Sequence, residues 1–161
     1  MRSNPSSLGK VENSDLDTLT DLVREFYEES NYPFDPALAR SALTELIGNP
    51  ALGRIWTVVR TQDGSHAATT EVVGYLVVAF GFSVEFGGRD AFIDELYLRP
   101  AHRGCGLATK AMAEAEAECL RLDVRALHLE VESENDAAES LYRRRGFRER
   151  QTPLSLPRGR R

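Results

Sequence analysis

A glycine-rich turn at the start of an expected helix is the part of this sequence whose residue types most directly suggest chemistry. The turn reads Arg103-Gly104-Cys105-Gly106-Leu107-Ala108 and follows an apolar segment that ends at Pro100. Glycines let the backbone approach a ligand closely and adopt conformations that a Cβ atom disfavours. Because the first N–H groups of a helix lack partners within it, the turn predicts a site for a phosphate or pyrophosphate. Its spacing differs from the common nucleotide-binding loops G-x-x-x-x-G-K-S/T and G-x-G-x-x-G.

A second group of residues, just upstream of the turn, mixes carboxylates with aromatic rings. The carboxylates are Glu85, Asp90, Asp94 and Glu95, and the rings are Phe80, Phe82, Phe86, Phe92 and Tyr97. Carboxylates and ring faces both attract cations, so the mixture suits a cationic amine as the ligand. The same aromatic residues would equally serve as hydrophobic core, and the sequence leaves both interpretations open.

The cysteines and histidines offer little chemistry of their own. Two cysteines, Cys105 and Cys119, are too few for a disulfide framework, and no spacing suggests a metal site. Cys105 lies in the turn, where its backbone N–H is the useful group, so a covalent role is not expected. His102 precedes the turn with only a weak case for catalysis, and the other two histidines have no recognisable context.

Hydrophobic periodicity and turn residues predict the elements that must position these groups. The pattern predicts seven strands, at about 8–11, 54–61, 71–81, 91–99, 125–132, 147–151 and 153–156. It predicts four helices, at about 14–29 with Ser14 as N-cap, 36–47, 104–122 and 135–145. This order predicts an α/β (α+β) fold in which helices flank a mixed sheet.

The overall composition limits the class of partner. The chain has 161 residues, a net charge of −5 at pH 7 and 42% hydrophobic residues. This predicts one domain over 1–161, with a mobile leader at 1–7 and a mobile tail at 158–161. An acidic chain disfavours nucleic acid, which needs a basic face, but suits a small cationic substrate. The absence of an apolar run of membrane-spanning length and of a signal-peptide core predicts a cytoplasmic protein without membrane contact.

Two blocks of sequence together resemble the GNAT superfamily of N-acetyltransferases. The turn at 103–108 matches the superfamily signature R/Q-x-x-G-x-G/A and lies between the fourth strand and the third helix, as it does in that family. The later block comprises Leu129-Glu130-Val131, Asn135, Ala138, Leu141-Tyr142 and Gly146-Phe147. The resemblance covers roughly 55–147.

This resemblance implies acetyl-CoA as cofactor and a single GNAT-type domain with about six to seven strands and four helices. The sheet is then mostly antiparallel, and the strands at 91–99 and 125–132 splay apart around the cofactor. The implied cofactor-binding residues are Leu96, Tyr97, Leu98, Arg103, Gly104, Cys105, Gly106, Leu107, Ala108, Thr109, Asn135, Ala138, Tyr142 and Arg143. Arg143 is open to a second interpretation, because basic residues are favoured at any helix C-terminus.

The resemblance also implies direct transfer of acetyl from the thioester to an amine. Tyr142 matches the tyrosine that protonates the leaving thiolate, and its alternative role is packing against the cofactor. A base must take the proton of the amine. Glu130 occupies the position of the base in some members of the family, Glu95 is its rival, and a water-mediated route is a third alternative.

The acceptor side of the site is the least determined. The residues expected to bind the substrate are Tyr27, Tyr32, Phe34, Phe82, Glu85, Asp94 and Glu95. The expected acceptor is a primary amine of a small cationic molecule or peptide. A non-catalytic acyl-CoA-binding module and a protein N-terminal or lysine acetyltransferase remain as alternatives, and a homodimer stays open.

Overall fold

Five strands form one sheet in the computed structural model, which describes residues 7–63, 68–131 and 135–149. The strands are β1 (Leu8–Lys10), β2 (Gly53–Asp63), β3 (Ala68–Ser83), β4 (Gly88–Leu98) and β5 (Ala126–Leu129), and their spatial order is β1-β2-β3-β4-β5. The first three pairings are antiparallel and the last is parallel. The mixed, mostly antiparallel sheet is therefore confirmed.

The number of strands is lower than the six to seven expected. Residues 147–149 are not in a strand, and the residues predicted to form the last strand, 153–156, lie outside the described residues. Strands β2 and β3 are longer than their apolar patterns suggested, because the ladder between them continues through polar residues as far as Asp63 and Ala68. Backbone pairing needs no apolar side chain, so a polar hairpin end is easily taken for a loop.

The four expected helices are present: α1 (Leu16–Glu29), α2 (Pro36–Gly48), α3 (Leu107–Arg121) and α4 (Asp136–Arg144). Helix α1 begins later than predicted, because a 3-10 turn at Asn13–Asp15 precedes it and Asp15, not Ser14, is its N-cap. None of the described helices combines the length and the apolar composition that a membrane span requires.

The chain divides into two compact units, one extending to Glu130 and one beginning at Val131. The first unit contains the sheet with α1, α2 and α3, and the second contains α4. The first unit also includes Ser7, which was expected to belong to a mobile leader. Ser7 is buried, and its backbone N–H and its hydroxyl donate to Glu114 Oε1 of α3 over 2.8 and 2.9 Å.

Each face of the sheet has its own hydrophobic core. On one side, here called the α1/α2 face, sheet residues pack with the apolar sides of α1 and α2; this cluster contains Leu16, Leu19, Leu22, Val23, Leu43, Ile55, Tyr75, Val77 and Tyr97. On the other, the α3 face, Val58, Val73 and Leu98 pack with Ala111 of α3. Residues alternate between the two faces along each strand, so any break in the alternation changes which side a functional group reaches.

Candidate active site

A β-bulge in β4 decides which face Glu95 occupies. Val77 of β3 pairs with Glu95, whereas the next residue, Val78, pairs with Ile93, so Asp94 is an extra residue in β4. Strict alternation would place positions 93 and 95 on the same face. The bulge shifts the alternation by one residue, and Glu95 therefore shares the α1/α2 face with Val77.

Two tyrosine hydroxyls hold the carboxylate of Glu95. Tyr27 of α1 donates to Oε1 and Tyr75 of β3 donates to Oε2, each over 2.7 Å. Burial raises the pKa of Glu95, and the two phenolic hydrogen bonds oppose that rise. Tyr75 is completely buried, and burial and the nearby carboxylate raise its pKa, so its hydroxyl remains a donor. The sequence analysis predicted Glu95 as a candidate base but assigned no role to Tyr75.

Aromatic residues of α1 and of the segment after it gather near this carboxylate. The ring of Tyr27 lies 5.8 Å from Tyr32 and 6.2 Å from Phe34, both in edge-to-face geometry. Because the hydroxyl of Tyr27 binds Glu95, three of the expected substrate-binding residues belong to one cluster with the candidate base. Such a cluster provides ring faces for an organic cation beside a carboxylate.

The remaining expected substrate residues are distributed differently. Asp94 is the bulge residue next to Glu95. Its side chain is exposed to solvent, although the surrounding protein desolvates its carboxyl enough to raise its pKa. Phe82 pairs with Arg89 near the end of the β3–β4 hairpin and is 77% exposed, and Glu85 lies in the turn itself. Phe82 is five residues along β3 from the partner of Glu95, or about 17 Å. The structure therefore does not bring Phe82 and Glu85 to the carboxylate.

Strands β4 and β5 separate beside the bulge. Their parallel pairing runs from Asp90 and Ala126 to Ile93 and Leu129, whereas β4 continues to Leu98. The segment 94–98 therefore has no strand partner on this side among the described residues, as expected for a splayed cofactor site. Glu130, the rival base, follows the last paired residue of β5 and is exposed. Glu130 makes no side-chain hydrogen bond or ion pair within the part of the chain that the structure describes.

The glycine-rich turn has the geometry of an anion site. Gly104 and Gly106 have φ values of +74° and +81°, a region that side-chain-bearing residues rarely adopt. Gly106 is the N-cap of α3, and no side chain among the described residues caps that helix. By contrast, Asp35 caps α2 by accepting from the backbone N–H groups of Ala37 and Leu38. The first N–H groups of α3 are thus left for a ligand.

Two arginines, Arg99 before this turn and Arg103 at its start, are bound to α1. Arg99 donates from Nε and Nη2 to Glu25, both over 2.9 Å. The guanidinium of Arg103 contacts both carboxylate oxygens of Glu29, at 2.7 and 2.8 Å, and its Nε donates to the Leu98 carbonyl over 2.9 Å. These arginines hold the pKa values of Glu25 and Glu29 below their usual range. The sequence did not predict this connection between the turn and α1.

The expected site residues of the second unit lie in or next to α4. Asn135 is the N-cap of α4, and its side-chain oxygen accepts from Ala138 N over 3.1 Å. Burial raises the pKa of Tyr142, whose ring lies 5.9 Å from that of Phe147. Arg143 is exposed and forms an ion pair with Glu139 at 2.6 Å. These interactions explain the local structure of α4 and leave the expected cofactor roles as predictions.

The residues of the first unit fit the acetyl-CoA that the sequence resemblance implies. The uncapped start of α3 with its two left-handed glycines suits a pyrophosphate, and the unpaired edge of β4 suits an extended amide-bearing arm. The Leu98 carbonyl at this edge already accepts one hydrogen bond, from Arg103 Nε. Among the described residues, no group of three or more His, Cys, Asp or Glu side chains could hold a metal ion.

Comparison with known proteins agrees with this geometry. A model of the acetyltransferase (GNAT) family matches residues 16–147, which include the turn, the bulge and α4. Among curated proteins, none shows significant similarity to the chain.

Solved structures share the fold. An integron cassette protein from the mobile metagenome of Cole Harbour Salt Marsh is 34% identical, over 94% of this chain and 90% of its own, with a TM-score of 0.79. A predicted acetyltransferase from Clostridium acetobutylicum, solved with acetyl-CoA, is 18% identical over 93% and 94% of the two chains, with a TM-score of 0.73. An aminoglycoside antibiotic 6′-N-acetyltransferase from Acinetobacter haemolyticus is 16% identical over 94% and 97%, with a TM-score of 0.66.

Proposed function

The chain belongs to the acetyltransferase (GNAT) family, and we propose that it acetylates a primary amine of a small cationic molecule or of a peptide. It is an N-acetyltransferase, and its acetyl donor is acetyl-CoA. The observation that supports the acceptor class is the Glu95 carboxylate on the α1/α2 face, bound by two tyrosines beside an aromatic cluster.

Glu95 is the base in this proposal. An amine attacks only when it is neutral, so a group at the site must take its proton. A carboxylate has about four lone-pair directions, and the hydrogen bonds from Tyr27 and Tyr75 occupy two of them. The remaining directions can accept the proton of a bound ammonium. Burial also raises the pKa of Glu95, which makes it a stronger base than an exposed glutamate.

The surroundings of Glu95 favour a cationic acceptor. Asp94 adds a second carboxylate at the bulge, and the rings of Tyr27, Tyr32 and Phe34 offer faces to an organic cation. The aminoglycoside N-acetyltransferase with the same fold is consistent with an amine acceptor. Glu130 is exposed, and no side chain among the described residues holds its carboxylate in place, so it is the weaker candidate for the base.

Cofactor binding is assigned to the turn and to the edge of β4. The backbone N–H groups of 103–108 would hold the pyrophosphate, and the backbone of Leu96 and Leu98 would pair with the pantetheine arm. Acetyl-CoA supplies the acetyl group as a thioester. Tyr142 would donate a proton to the departing sulfur, and the raised pKa of its hydroxyl keeps it protonated at neutral pH. Asn135, Ala138 and Arg143 are proposed as further contacts.

A cytoplasmic location is part of the proposal. It is supported by the two cysteines: both are free thiols, with Cys105 exposed and Cys119 buried. Reduced thiols are typical of a reducing compartment.

The direct test is release of free thiol from acetyl-CoA in the presence of a panel of acceptors. The panel should contain small monoamines and diamines, peptides with a free N-terminus, N-terminally blocked lysine peptides, and neutral and anionic controls. Acetylation of small amines or free peptide N-termini is the expected result. Exclusive acetylation of lysine peptides would indicate a protein lysine acetyltransferase, and reaction with only neutral or anionic acceptors would contradict the proposed acceptor site.

Two matched variants assign the base, because Glu95→Gln and Glu130→Gln make the same chemical change. Loss of a general base should lower kcat about 10²–10⁴-fold at every amine concentration, whereas loss of a docking carboxylate should mainly raise KM. We expect the first result for Glu95→Gln only. Unchanged kcat in Glu95→Gln across the pH range, with or without a loss in Glu130→Gln, would refute the assignment of Glu95.

A further inference from the structure

Asp90 of β4 and His128 of β5 form a pair that the proposed mechanism does not use. Asp90 Oδ2 lies 3.3 Å from His128 Nε2, and the histidine ring lies 5.5 Å from the ring of Phe86. Both side chains are partly exposed, at 22% and 29%. The pair is therefore fixed by its neighbours while remaining accessible to a ligand.

The bulge at Asp94 places this pair on the same face as the candidate base. Asp90 pairs with Gly81, and Phe92 pairs with Ala79. Gly81 and Ala79 lie four and two positions along β3 from Val77, so they lie on the same α1/α2 face as Val77. Glu95 pairs with Val77 and so lies on that face too. Five positions separate Asp90 from Glu95, and regular alternation would have put their carboxylates on opposite sides of the sheet. The single extra residue brings both to one surface.

Small residues of β3 lie beside Asp90 on this face. A Cβ atom at Gly81 would lie 2.6 Å from Asp90 Oδ1, so the carboxylate reaches across the position where any other residue would carry a side chain. Gly81 is exposed and Ala79 is only partly buried, so small residues form the floor between Asp90 and the partner of Glu95. One carboxylate oxygen faces His128, and the other lies above this open floor.

We propose that the acceptor carries a second cationic group and that Asp90, positioned by His128, binds it. This inference rests on the proposed function and narrows its substrate class to elongated dications. Asp90 is then a specificity-determining residue, and the reacting amine lies at Glu95. The Phe92 ring, which shares the face between the two carboxylates, would line the path of the connecting chain.

The register between β3 and β4 determines the expected distance between the two cationic groups of such a substrate. Asp90 and Glu95 pair with β3 residues four positions apart, so their backbones are about 13 Å apart along the strand. An ammonium group lies about 2.8 Å from a carboxylate oxygen. The two nitrogens of the acceptor should therefore be separated by roughly 8–13 Å, a span available to a long diamine and not to a short one.

The test compares linear α,ω-diamines of increasing chain length with monoamines of the same chain length. In the wild type, the ratio of kcat/KM for diamine to kcat/KM for monoamine should be greatest for diamines that span about 10 Å. Asp90→Asn should lower this ratio about tenfold through KM, the usual effect of losing a charge-assisted hydrogen bond. Asp123→Asn is the matched control, because Asp123 is an exposed carboxylate with a positive φ that asparagine tolerates, and this variant should keep the ratio.

Calorimetry measures the affinity of diamines for the same subsite without turnover. The long diamine should bind wild type more tightly than the monoamine and lose about tenfold in affinity in Asp90→Asn. Equal binding of the two amines to the wild type, no binding of diamines, or an unchanged preference in Asp90→Asn would overturn the inference. In those cases acetylation of monoamines would still support the proposed function, whereas failure of every amine to react would refute that function itself.

Discussion

Two tyrosine-to-phenylalanine changes at the same carboxylate give the sharpest test of the site. Tyr75 and Tyr27 each donate one hydrogen bond of 2.7 Å to Glu95, but Tyr75 is completely buried and Tyr27 only partly so. Each phenylalanine removes one hydroxyl and leaves one carboxylate oxygen without its donor. Water can replace the hydroxyl at the partly exposed position but not in the core.

This difference predicts unequal costs in stability. A hydrogen bond to a charged group contributes about 1.5–3 kcal/mol, and Tyr75→Phe should lower the free energy of unfolding at pH 7 by about that amount. For a chain of this size the Tm should fall by about 3–12 °C. Tyr27→Phe should cost less than about 1 kcal/mol, because water replaces part of the lost interaction. Urea unfolding at constant pH and salt measures both values.

The same changes should move the pH dependence of the reaction. The two phenolic hydrogen bonds lower the pKa of Glu95 against the effect of burial, so losing either one lets that pKa rise. If Glu95 must be ionised to accept a proton, the acidic limb of the kcat/KM profile should shift to higher pH in both variants. The same amine is used throughout, so its own ionisation contributes equally to every profile.

The prediction for stability and the prediction for the pH profile can be refuted independently. An equal loss of stability in the two variants would show that burial does not distinguish the two hydroxyls. An acidic limb that stays in place, or moves to lower pH, would show that Glu95 is not the group whose ionisation controls the reaction.

The turn and α4 supply two further predictions. Gly106→Ala and Gly106→Asp both place a side chain at a φ of +81°, which costs about 1–2 kcal/mol in either variant. In both variants no described atom lies within 4 Å of the new Cβ. Only Asp adds a negative charge, so Gly106→Asp should weaken acetyl-CoA binding, measured by calorimetry, at least about tenfold more than Gly106→Ala. Equal affinities of the two variants would show that the pyrophosphate does not bind at this turn. Tyr142→Phe should lower kcat about 10- to 1,000-fold with nearly unchanged acetyl-CoA affinity, and full activity would limit Tyr142 to packing.

Local sequence was sufficient to predict a structural feature wherever the residues that determine the feature lie close to it in the chain. The pattern of apolar residues located all four helices, and the glycine-rich turn predicted an uncapped helix start because glycine acts on its own backbone conformation. The turn and the later block at 129–147 together also predicted the family, which the match over residues 16–147 confirms. Errors at this level were small, such as the N-cap of α1 at Asp15.

Pairing between segments that are distant in sequence determined which side chains meet at the candidate site. The bulge at Asp94 reverses the face of every later residue in β4, and nothing in the alternation of β4 alone marks it. Register with β3 then brings Tyr75 to Glu95 and places Asp90 on the same side. A tyrosine in an apolar strand does signal that a buried hydroxyl needs a partner, but the identity of that partner depends on the neighbouring strand. Side chains far apart in sequence meet only when the backbone ladder fixes their register, so the chemistry of the acceptor face is a property of the tertiary structure.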